Sequence, residues 1–240
     1  MQMQARRRID RFFRAEGPYP RSAYPKHLAF FAAGGRHEPM PGCPPDCTGD
    51  PHNERAFVAG NRVGKTIVGA YEVTCHATGI YPSWWPGVRF EKPTFGWACG
   101  TTNTKVREIG QMELLGKIIR EPGDRHDHAV GLGTGMIPAD AIIAVKRHPG
   151  LADSIETAYI RHITGGTSEI GFRSYEQGRK AFEGTAQHWI WDDEEPPMDV
   201  YIEQRMRTMT VGGHILSTFT PLQGLSEVVL QFLPGGKAVQ

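Results

Sequence analysis

The sequence predicts an α/β fold in which a mostly parallel sheet is covered by helices on both faces. Short apolar runs that suit buried strands alternate along the chain with segments that suit helices, and this alternation is typical of such folds. The 240 residues are enough for one large domain, or two small ones, with a sizeable core. The 29 glycines and 18 prolines indicate many turns around short strands.

Composition excludes several classes of protein. The 27 basic and 26 acidic side chains leave a net charge of +1, which argues against a protein that coats DNA through bulk charge. No apolar stretch approaches the roughly 20 residues that a membrane-spanning helix needs. The basic N-terminus lacks the apolar core of a secretory signal, and four cysteines do not make a disulfide framework. We therefore expect a cytosolic protein without a membrane partner.

Residues 1–55 are predicted to form an N-terminal helical segment and a loop that lead into a core covering residues 56–240. Residues 5–16 suit a short basic helix. A second helix begins at about Pro25 and is ended by Gly34 and Gly35. The stretch that follows, up to residue 54, carries proline, glycine and polar residues without periodicity, so we expect a loop.

The first half of the core contains two predicted strand–helix pairs. The apolar run 56–59 suits a buried parallel strand, and the helix after Lys65 should continue to about Thr78. A second strand ends at Gly100. The helix that follows covers residues 105–119 and is capped by one of the polar residues Thr101, Thr102 or Asn103.

The second half of the core adds five predicted strands and one helix. A glycine- and histidine-rich loop occupies residues 123–135. Strand-like runs follow at 141–146, 158–163, 168–175, 187–191 and 212–219, and a helix at 200–210. No internal repeat is visible.

The segment GNRVGKT, residues 60–66, is the first candidate site. It resembles the phosphate-binding pattern of glycine, four free positions and Gly-Lys-Ser/Thr, except that Ala59 stands at the first glycine position. In such a loop, backbone N–H groups and the start of the next helix bind phosphate. The residues that would provide them here are Gly60, Asn61, Arg62, Val63, Gly64, Lys65 and Thr66. Lys65 would contact the β- and γ-phosphates of ATP, and Thr66 would bind Mg²⁺. The alternative is a glycine turn before an ordinary amphipathic helix.

The second candidate site is the acidic end of the strand at 187–191. Asp192, Asp193, Glu194 and Glu195 follow it directly. Ligands bind at this edge of an open α/β sheet, and adjacent carboxylates that repel one another favour a bound cation. We assign Asp193 to the metal and Glu194 to the general base, with Glu195 as the substitute if the register differs by one. The alternative is a solvated acidic turn.

The separation between the two candidate sites refines the fold class. Lys65 and Asp193 are 128 positions apart (193 − 65), which leaves room for extra strands and favours a RecA-like ATPase over a small nucleotide kinase.

The last strand ends in the hydroxyls of Ser217, Thr218 and Thr220, which could contact the γ-phosphate or the attacking water. The alternative is that threonines are simply good strand residues.

Five segments together resemble the large terminase subunit of tailed double-stranded DNA bacteriophages. They are YPKHLAFFAAG (24–34), GNRVGKT (60–66), FRSYEQGRKAFEG (172–184), WIWDDEEPP (189–197) and STFTPLQG (217–224). The resemblance implies a RecA-like (ASCE) P-loop ATPase that drives viral DNA into a procapsid. It also implies a C-terminal nuclease domain that lies beyond this chain, so we expect no cleavage activity here.

The resemblance implies roles for three more residues. Arg62 would contact the γ-phosphate from within the same subunit, unless it binds a carboxylate on a neighbouring loop. His27 lies in the segment that contacts adenine, where relatives often have glutamine, so it either stacks on the base or only packs. Arg179 is the candidate arginine that acts on a neighbouring subunit. Its competitors are Lys180, Arg161 and Arg173, and a plain surface charge remains the alternative.

The resemblance also implies partners. They are double-stranded DNA, the portal protein, the small terminase subunit and further copies of the chain in a ring on the procapsid. The expected location is the host cytoplasm, with a transient stay at the portal vertex. The alternatives are another RecA-like translocase or helicase fragment, and a nucleotide-binding scaffold used for assembly.

A cluster of cysteine and histidine residues stands apart from these motifs. Cys43, Cys47 and His52, with His37 upstream, could bind zinc. However, three residues rather than two separate the cysteines, and only one such cluster is present. The sequence therefore favours a flexible loop, with zinc as the alternative.

Overall fold

The structure is a computed structural model that describes residues 7–40, 43–118, 131–222 and 224–233. Its strands are β1 (Phe12–Arg14), β2 (Tyr19–Pro20), β3 (Glu54–Val58), β4 (Phe95–Gly100), β5 (Ile142–Arg147), β6 (Ile155–Arg161), β7 (Thr167–Ser174), β8 (Trp189–Asp193) and β9 (His214–Phe219). Its helices are α1 (Pro25–Ala33), α2 (Lys65–Thr78), α3 (Asn103–Lys105), α4 (Met112–Leu115), α5 (Met198–Met209) and α6 (Glu227–Gln231). A π-helical segment, Val106–Gln111, joins α3 to α4.

One seven-stranded sheet forms the centre, in the order β3-β9-β8-β4-β7-β6-β5. The neighbours from β3 to β7 are parallel, whereas β6 and β5 are antiparallel additions at the far edge. Strand β9 lies between β3 and β8, and its register pairs Val58 with Phe219 and Asp193 with Thr218. The carboxyl ends of these three strands therefore meet at one edge. This order fits the RecA-like class expected from the sequence.

Helices cover both faces of the sheet, so the predicted α/β architecture is confirmed. Alternate side chains of β8 point to opposite faces: Trp189 and Trp191 enter the core under α2, whereas Ile190 enters a second core with Tyr201 of α5. Helix α2 approaches the sheet closely at Gly69, where an added Cβ would lie 2.1 Å from Trp191 Nε1. The packing of α2 therefore depends on the absence of a side chain at position 69.

The predicted helix over residues 5–16 is wrong for the part that the structure describes. A single 3₁₀ turn, Arg8–Arg11, leads into the short strand β1, which pairs in parallel with β2. Phe13 is fully buried, with its ring 5.4 Å from that of Phe31 and 5.0 Å from that of Tyr71. Burial of this ring overrides the local helix preference.

The helix predicted over 105–119 is shorter and less regular than expected. It begins after Thr102, whose side chain accepts a hydrogen bond from the Lys105 N–H, and ends at Gly116, where φ is +97°. Helix α6, capped by Ser226, was not predicted. Most of the predicted loop 123–135 lies outside the described residues. Among the helices of the described ranges, none is long and apolar enough to cross a bilayer.

Candidate functional site

The loop between β3 and α2 turns sharply at Gly64. The φ angle of Gly64 is +85°, and a Cβ there would lie 3.2 Å from His27 Nε2, so both the backbone and the close contact favour glycine. Arg62 also has a positive φ, +64°. Helix α2 begins at the next residue, Lys65, and its first N–H groups have no partner within the helix. The loop therefore has the geometry of an anion site.

Lys65 folds back over this loop. Its Nζ donates a hydrogen bond to the carbonyl oxygen of Gly60 at 2.7 Å, and the residue is only 9% exposed. The amine is thus held at the mouth of the loop, where a phosphate group would meet it.

The first turn of α2 contacts the end of β8 directly. Thr66 Oγ1 donates to the Asp193 carboxylate, at 3.1 Å from Oδ1 and 3.3 Å from Oδ2. Thr218 Oγ1 of β9 lies 3.0 Å from the same Oδ1. Burial raises the pKa of Asp193 to about 6, although both hydroxyls lower it. A hydroxyl and a buried carboxylate on facing elements are the hard oxygen ligands that suit Mg²⁺.

Asp192 lies on the opposite face of the sheet from Asp193. Its Oδ1 is 3.0 Å from the Tyr175 hydroxyl and accepts a hydrogen bond from Gln204 Nε2 at 2.7 Å. Burial raises its pKa to about 7. Asp192 therefore does not share the surroundings of Asp193, because successive strand residues point to opposite faces.

Glu194 has an unusual backbone conformation. Its φ is +92°, which is costly for a residue with a side chain. Its N–H donates to the carbonyl oxygen of Thr218 at 3.2 Å, and the Tyr175 hydroxyl lies 2.9 Å from its carbonyl oxygen. These two contacts hold the strained turn in place.

Glu194 lines a cavity of about 650 Å³ together with Glu195 and Thr220. The Glu195 carboxylate accepts a hydrogen bond from the hydroxyl of Ser226. No such partner binds the Glu194 carboxylate among the described residues. The geometry therefore favours Glu194 over Glu195 as the group that faces a ligand.

The hydroxyls at the end of β9 differ in their surroundings. Thr220 Oγ1 donates to the carbonyl oxygen of Ala59 at 3.0 Å and lies 3.2 Å from Asn61 Oδ1, so it contacts the loop. Ser217 and Thr218 are fully buried. The expected phosphate contact is therefore not available to these two residues.

Arg62 is exposed, and its guanidinium makes no ion pair within the part of the chain that the structure describes. The alternative that it binds a carboxylate on a neighbouring loop finds no support in that part. Arg62 thus has the freedom that a phosphate contact requires.

His27 lies beneath the loop, within a group of aromatic side chains. Its Nε2 donates to the carbonyl oxygen of Val63 at 3.0 Å, and its ring is surrounded by Phe13, Tyr24 and Phe57. The residue is 8% exposed, and burial lowers its pKa. The adenine contact expected at His27 is not supported by this placement, because α1 packs the ring against the loop.

Arg179 is bound within the chain. Its Nε lies 3.1 Å from Glu203 Oε2, and Arg207 lies 2.9 Å from the other oxygen of the same carboxylate. This ion pair links Arg179 to α5, and the side chain remains about half exposed. Of its competitors, Arg173 stacks over Trp97 at 5.7 Å, whereas Lys180 and Arg161 are exposed without such a contact among the described residues.

Sequence reasoning missed Tyr175 and Gln204. Both contact Asp192, and Tyr175 also contacts the backbone of Glu194. No local motif marks them, because their proximity to the acids depends on the strand order and on the packing of α5.

Comparisons with known proteins match these features to one family. A family model described as terminase large subunit, T4likevirus-type, N-terminal, matches residues 56–239. The large terminase subunit of Salmonella phage P22 is 37% identical over 202 residues, which cover 77% of this chain and 39% of that protein. The chain thus spans well under half the length of the curated relative it matches.

Two solved structures of the large terminase from a thermophilic bacteriophage also match, one of them in complex with ADP. Each aligns with a TM-score of 0.45 at 14% identity, over 81% of this chain and 38% of that chain.

Proposed function

The chain belongs to the large terminase subunit family, and from that premise we propose that it hydrolyses ATP to move double-stranded DNA into a viral procapsid. The observation that carries this proposal is the contact between Thr66 and Asp193, at 3.1 Å. It joins the helix that follows a phosphate-binding loop to the acidic end of a strand 127 residues away. Nucleotide hydrolysis requires these two elements to meet.

The loop residues bind the phosphates in this proposal. The free N–H groups at the start of α2 face the β-phosphate, and Lys65 exchanges its bond with the Gly60 carbonyl for the β- and γ-phosphate oxygens. Thr66 and Asp193 would hold Mg²⁺, which neutralises charge on the phosphates when bound. Arg62 adds a second positive charge beside the γ-phosphate from the same loop.

Glu194 acts as the general base. Glu194 lines the same cavity as Thr220, which contacts the loop. In this proposal its carboxylate orients a water molecule and accepts its proton as the water attacks the γ-phosphorus. The contacts to Thr218 and Tyr175 fix the strained backbone and hence the direction of the carboxylate. Thr220 contacts the loop from β9 and senses whether the γ-phosphate is present.

The family supplies the proposed partners and location. They are double-stranded DNA, the portal protein, the small terminase subunit and further copies of this chain, which assemble as a ring at the portal vertex of a procapsid in the host cytoplasm. Cutting of DNA is assigned to no residue of this chain.

Two substitutions test the site. Lys65→Ala removes the phosphate contact and is expected to weaken binding of a fluorescent ATP analogue at least about tenfold. Glu194→Gln keeps the shape of the side chain and is expected to retain binding while hydrolysis falls at least about 100-fold. Lys92→Ala, at an exposed lysine that precedes β4 and so lies towards the opposite edge of the sheet, serves as the control. The assay is phosphate release by the full-length subunit with procapsids and DNA. Unchanged turnover in both variants would refute the assignment.

A further inference from the structure

The loop between α1 and β3 brings two cysteines and two histidines together. The ligand atoms of His37, Cys43, Cys47 and His52 all lie within 4.8 Å of one another, and all four residues are half-buried. The sequence favoured a flexible loop here because of the wide spacing between the cysteines. The structure instead gathers the four side chains at one point, and the proposed hydrolysis uses none of them.

Three of the six distances between the ligand atoms match the edge of a tetrahedral zinc site. Bond lengths of about 2.3 Å for Zn–S and about 2.05 Å for Zn–N, at tetrahedral angles, place sulfur and nitrogen ligands about 3.6 Å apart. The observed separations are 3.4 Å from His37 Nε2 to Cys43 Sγ, 3.5 Å from His37 Nε2 to Cys47 Sγ, and 3.6 Å from Cys47 Sγ to His52 Nε2. All three agree with that edge to within about 0.2 Å.

The tautomer of His37 is also the one that a metal requires. Its Nδ1 lies 2.9 Å from the carbonyl oxygen of Gly35, which can only accept a hydrogen bond, so Nδ1 carries the proton. The lone pair of Nε2 therefore points towards both sulfur atoms. A backbone carbonyl that fixes the tautomer in this way is the usual outer contact of a zinc-binding histidine.

The backbone around the cluster is held in the same arrangement. The Gly49 N–H donates to Cys47 Sγ at 3.4 Å, which stabilises a thiolate, and the His37 N–H donates to the Gly49 carbonyl oxygen at 3.0 Å. Gly49 has a φ of +83°, and a Cβ there would lie 2.3 Å from the carbonyl oxygen of His37. The His52 N–H donates to the carbonyl oxygen of Ala33, at the end of α1, at 2.8 Å.

We propose that His37, Cys43, Cys47 and His52 bind one structural Zn²⁺ ion. Four protein ligands leave no open position for a substrate, so the ion stabilises the fold rather than catalyses a reaction. Two thiolates balance its charge, and each thiol that binds releases one proton to solvent.

The zinc site joins two elements that support the phosphate-binding loop. Helix α1 carries His27, which donates to Val63 of that loop, and β3 leads directly into it. The bound ion would cross-link the two ends of the loop that connects α1 to β3. It therefore fixes the helix against the strand independently of any bound nucleotide.

Metal analysis of the full chain tests the proposal, after any polyhistidine tag has been removed. We expect one zinc per chain in the wild-type protein and at most about a fifth of that in Cys43→Ser and Cys47→Ser. Cys99→Ala, which removes a buried cysteine outside the cluster, is the matched control and should retain one zinc. Circular dichroism checks that each variant is folded.

Cobalt substitution of the wild-type protein tests metal binding even if the cysteine variants do not fold. Uptake of one Co²⁺ with the thiolate-to-metal charge-transfer bands of a tetrahedral site is the expected result. Three results would overturn the proposal: folded wild-type protein without zinc or cobalt uptake, a Cys43→Ser variant that retains a full zinc, or a Cys43–Cys47 disulfide in protein purified under reducing conditions.

Discussion

Replacing Asp193 by asparagine is expected to stabilise the nucleotide-free protein while it abolishes hydrolysis. Burial raises the pKa of Asp193 from an ordinary value of 3.8 to about 6, and hydrogen bonds from Thr218 and Thr66 lower it only in part. A carboxyl group whose pKa is higher in the folded protein than in the unfolded chain reduces stability as pH rises between those two values. The charge of Asp193 therefore destabilises the folded protein at neutral pH.

The magnitude follows from the pKa values. One pKa unit corresponds to about 1.4 kcal/mol, so the rise from 3.8 to about 6 corresponds to about 3 kcal/mol above pH 6. Asparagine keeps an oxygen at the position of Oδ1, which lies 3.0 Å from Thr218 Oγ1 and 3.1 Å from Thr66 Oγ1. We expect Asp193→Asn to raise the free energy of unfolding by up to about 3 kcal/mol at neutral pH, by about half of that near pH 5, and by little below about pH 4.

Urea denaturation at these pH values, without Mg²⁺ or nucleotide, measures the effect. Glu183→Gln, which neutralises an exposed carboxylate, is the control and should change the unfolding free energy by less than about 0.5 kcal/mol. Adding Mg²⁺ should stabilise the wild-type protein more than Asp193→Asn. A variant that is less stable than the wild type at neutral pH, or a gain that does not depend on pH, would refute the reasoning.

Three further substitutions follow from the packing. Gly69→Ala should lower the free energy of unfolding by about 1–3 kcal/mol in urea, because the new methyl group overlaps Trp191; Gly110→Ala, where the structure leaves open space, is its control and should be neutral or stabilising. Glu194→Gly should raise the free energy of unfolding by about 1 kcal/mol, because glycine adopts a positive φ without strain. The same variant should lose phosphate release completely. A lower free energy of unfolding would contradict the inference that the Glu194 backbone is strained. His27→Phe removes the hydrogen bond to Val63 and should weaken binding of an ATP analogue about tenfold; unchanged affinity would show that the loop needs no such support.

Sequence reasoning located the loop and the acids because each lies in a short continuous motif. Lys65 and Thr66 start a helix after a glycine turn, and Asp193 and Glu194 end an apolar strand, so local pattern was enough to place them. The sequence assigned the general base to Glu194 and kept Glu195 as the substitute if the register differed by one. That distinction depends on Ser226, which binds Glu195 and caps a helix that no pattern predicted.

The features that the sequence did not predict depend on contacts between distant segments of the chain. The basic run at the N-terminus suits a helix, but burial of Phe13 against α1 and α2 sets its actual conformation. His27 lies in a segment that suggested a base contact, yet its ring is enclosed by aromatic side chains beneath the loop. The spacing between Cys43 and Cys47 is not typical of a zinc site. Only the folded loop shows that both sulfur atoms lie close to His37.

In the proposed function, the position of β9 gives a physical route from hydrolysis to movement. Because β9 lies between β3 and β8, the end of β9 contacts both halves of the candidate site: Thr218 contacts Asp193, and Thr220 contacts Ala59, just before the loop that leads into α2. Ser226, which also lines the cavity, donates a hydrogen bond to the Glu195 carboxylate. Loss of the γ-phosphate would alter the loop and the metal ligands together. In the proposed cycle, Thr218 and Thr220 would therefore respond to both changes.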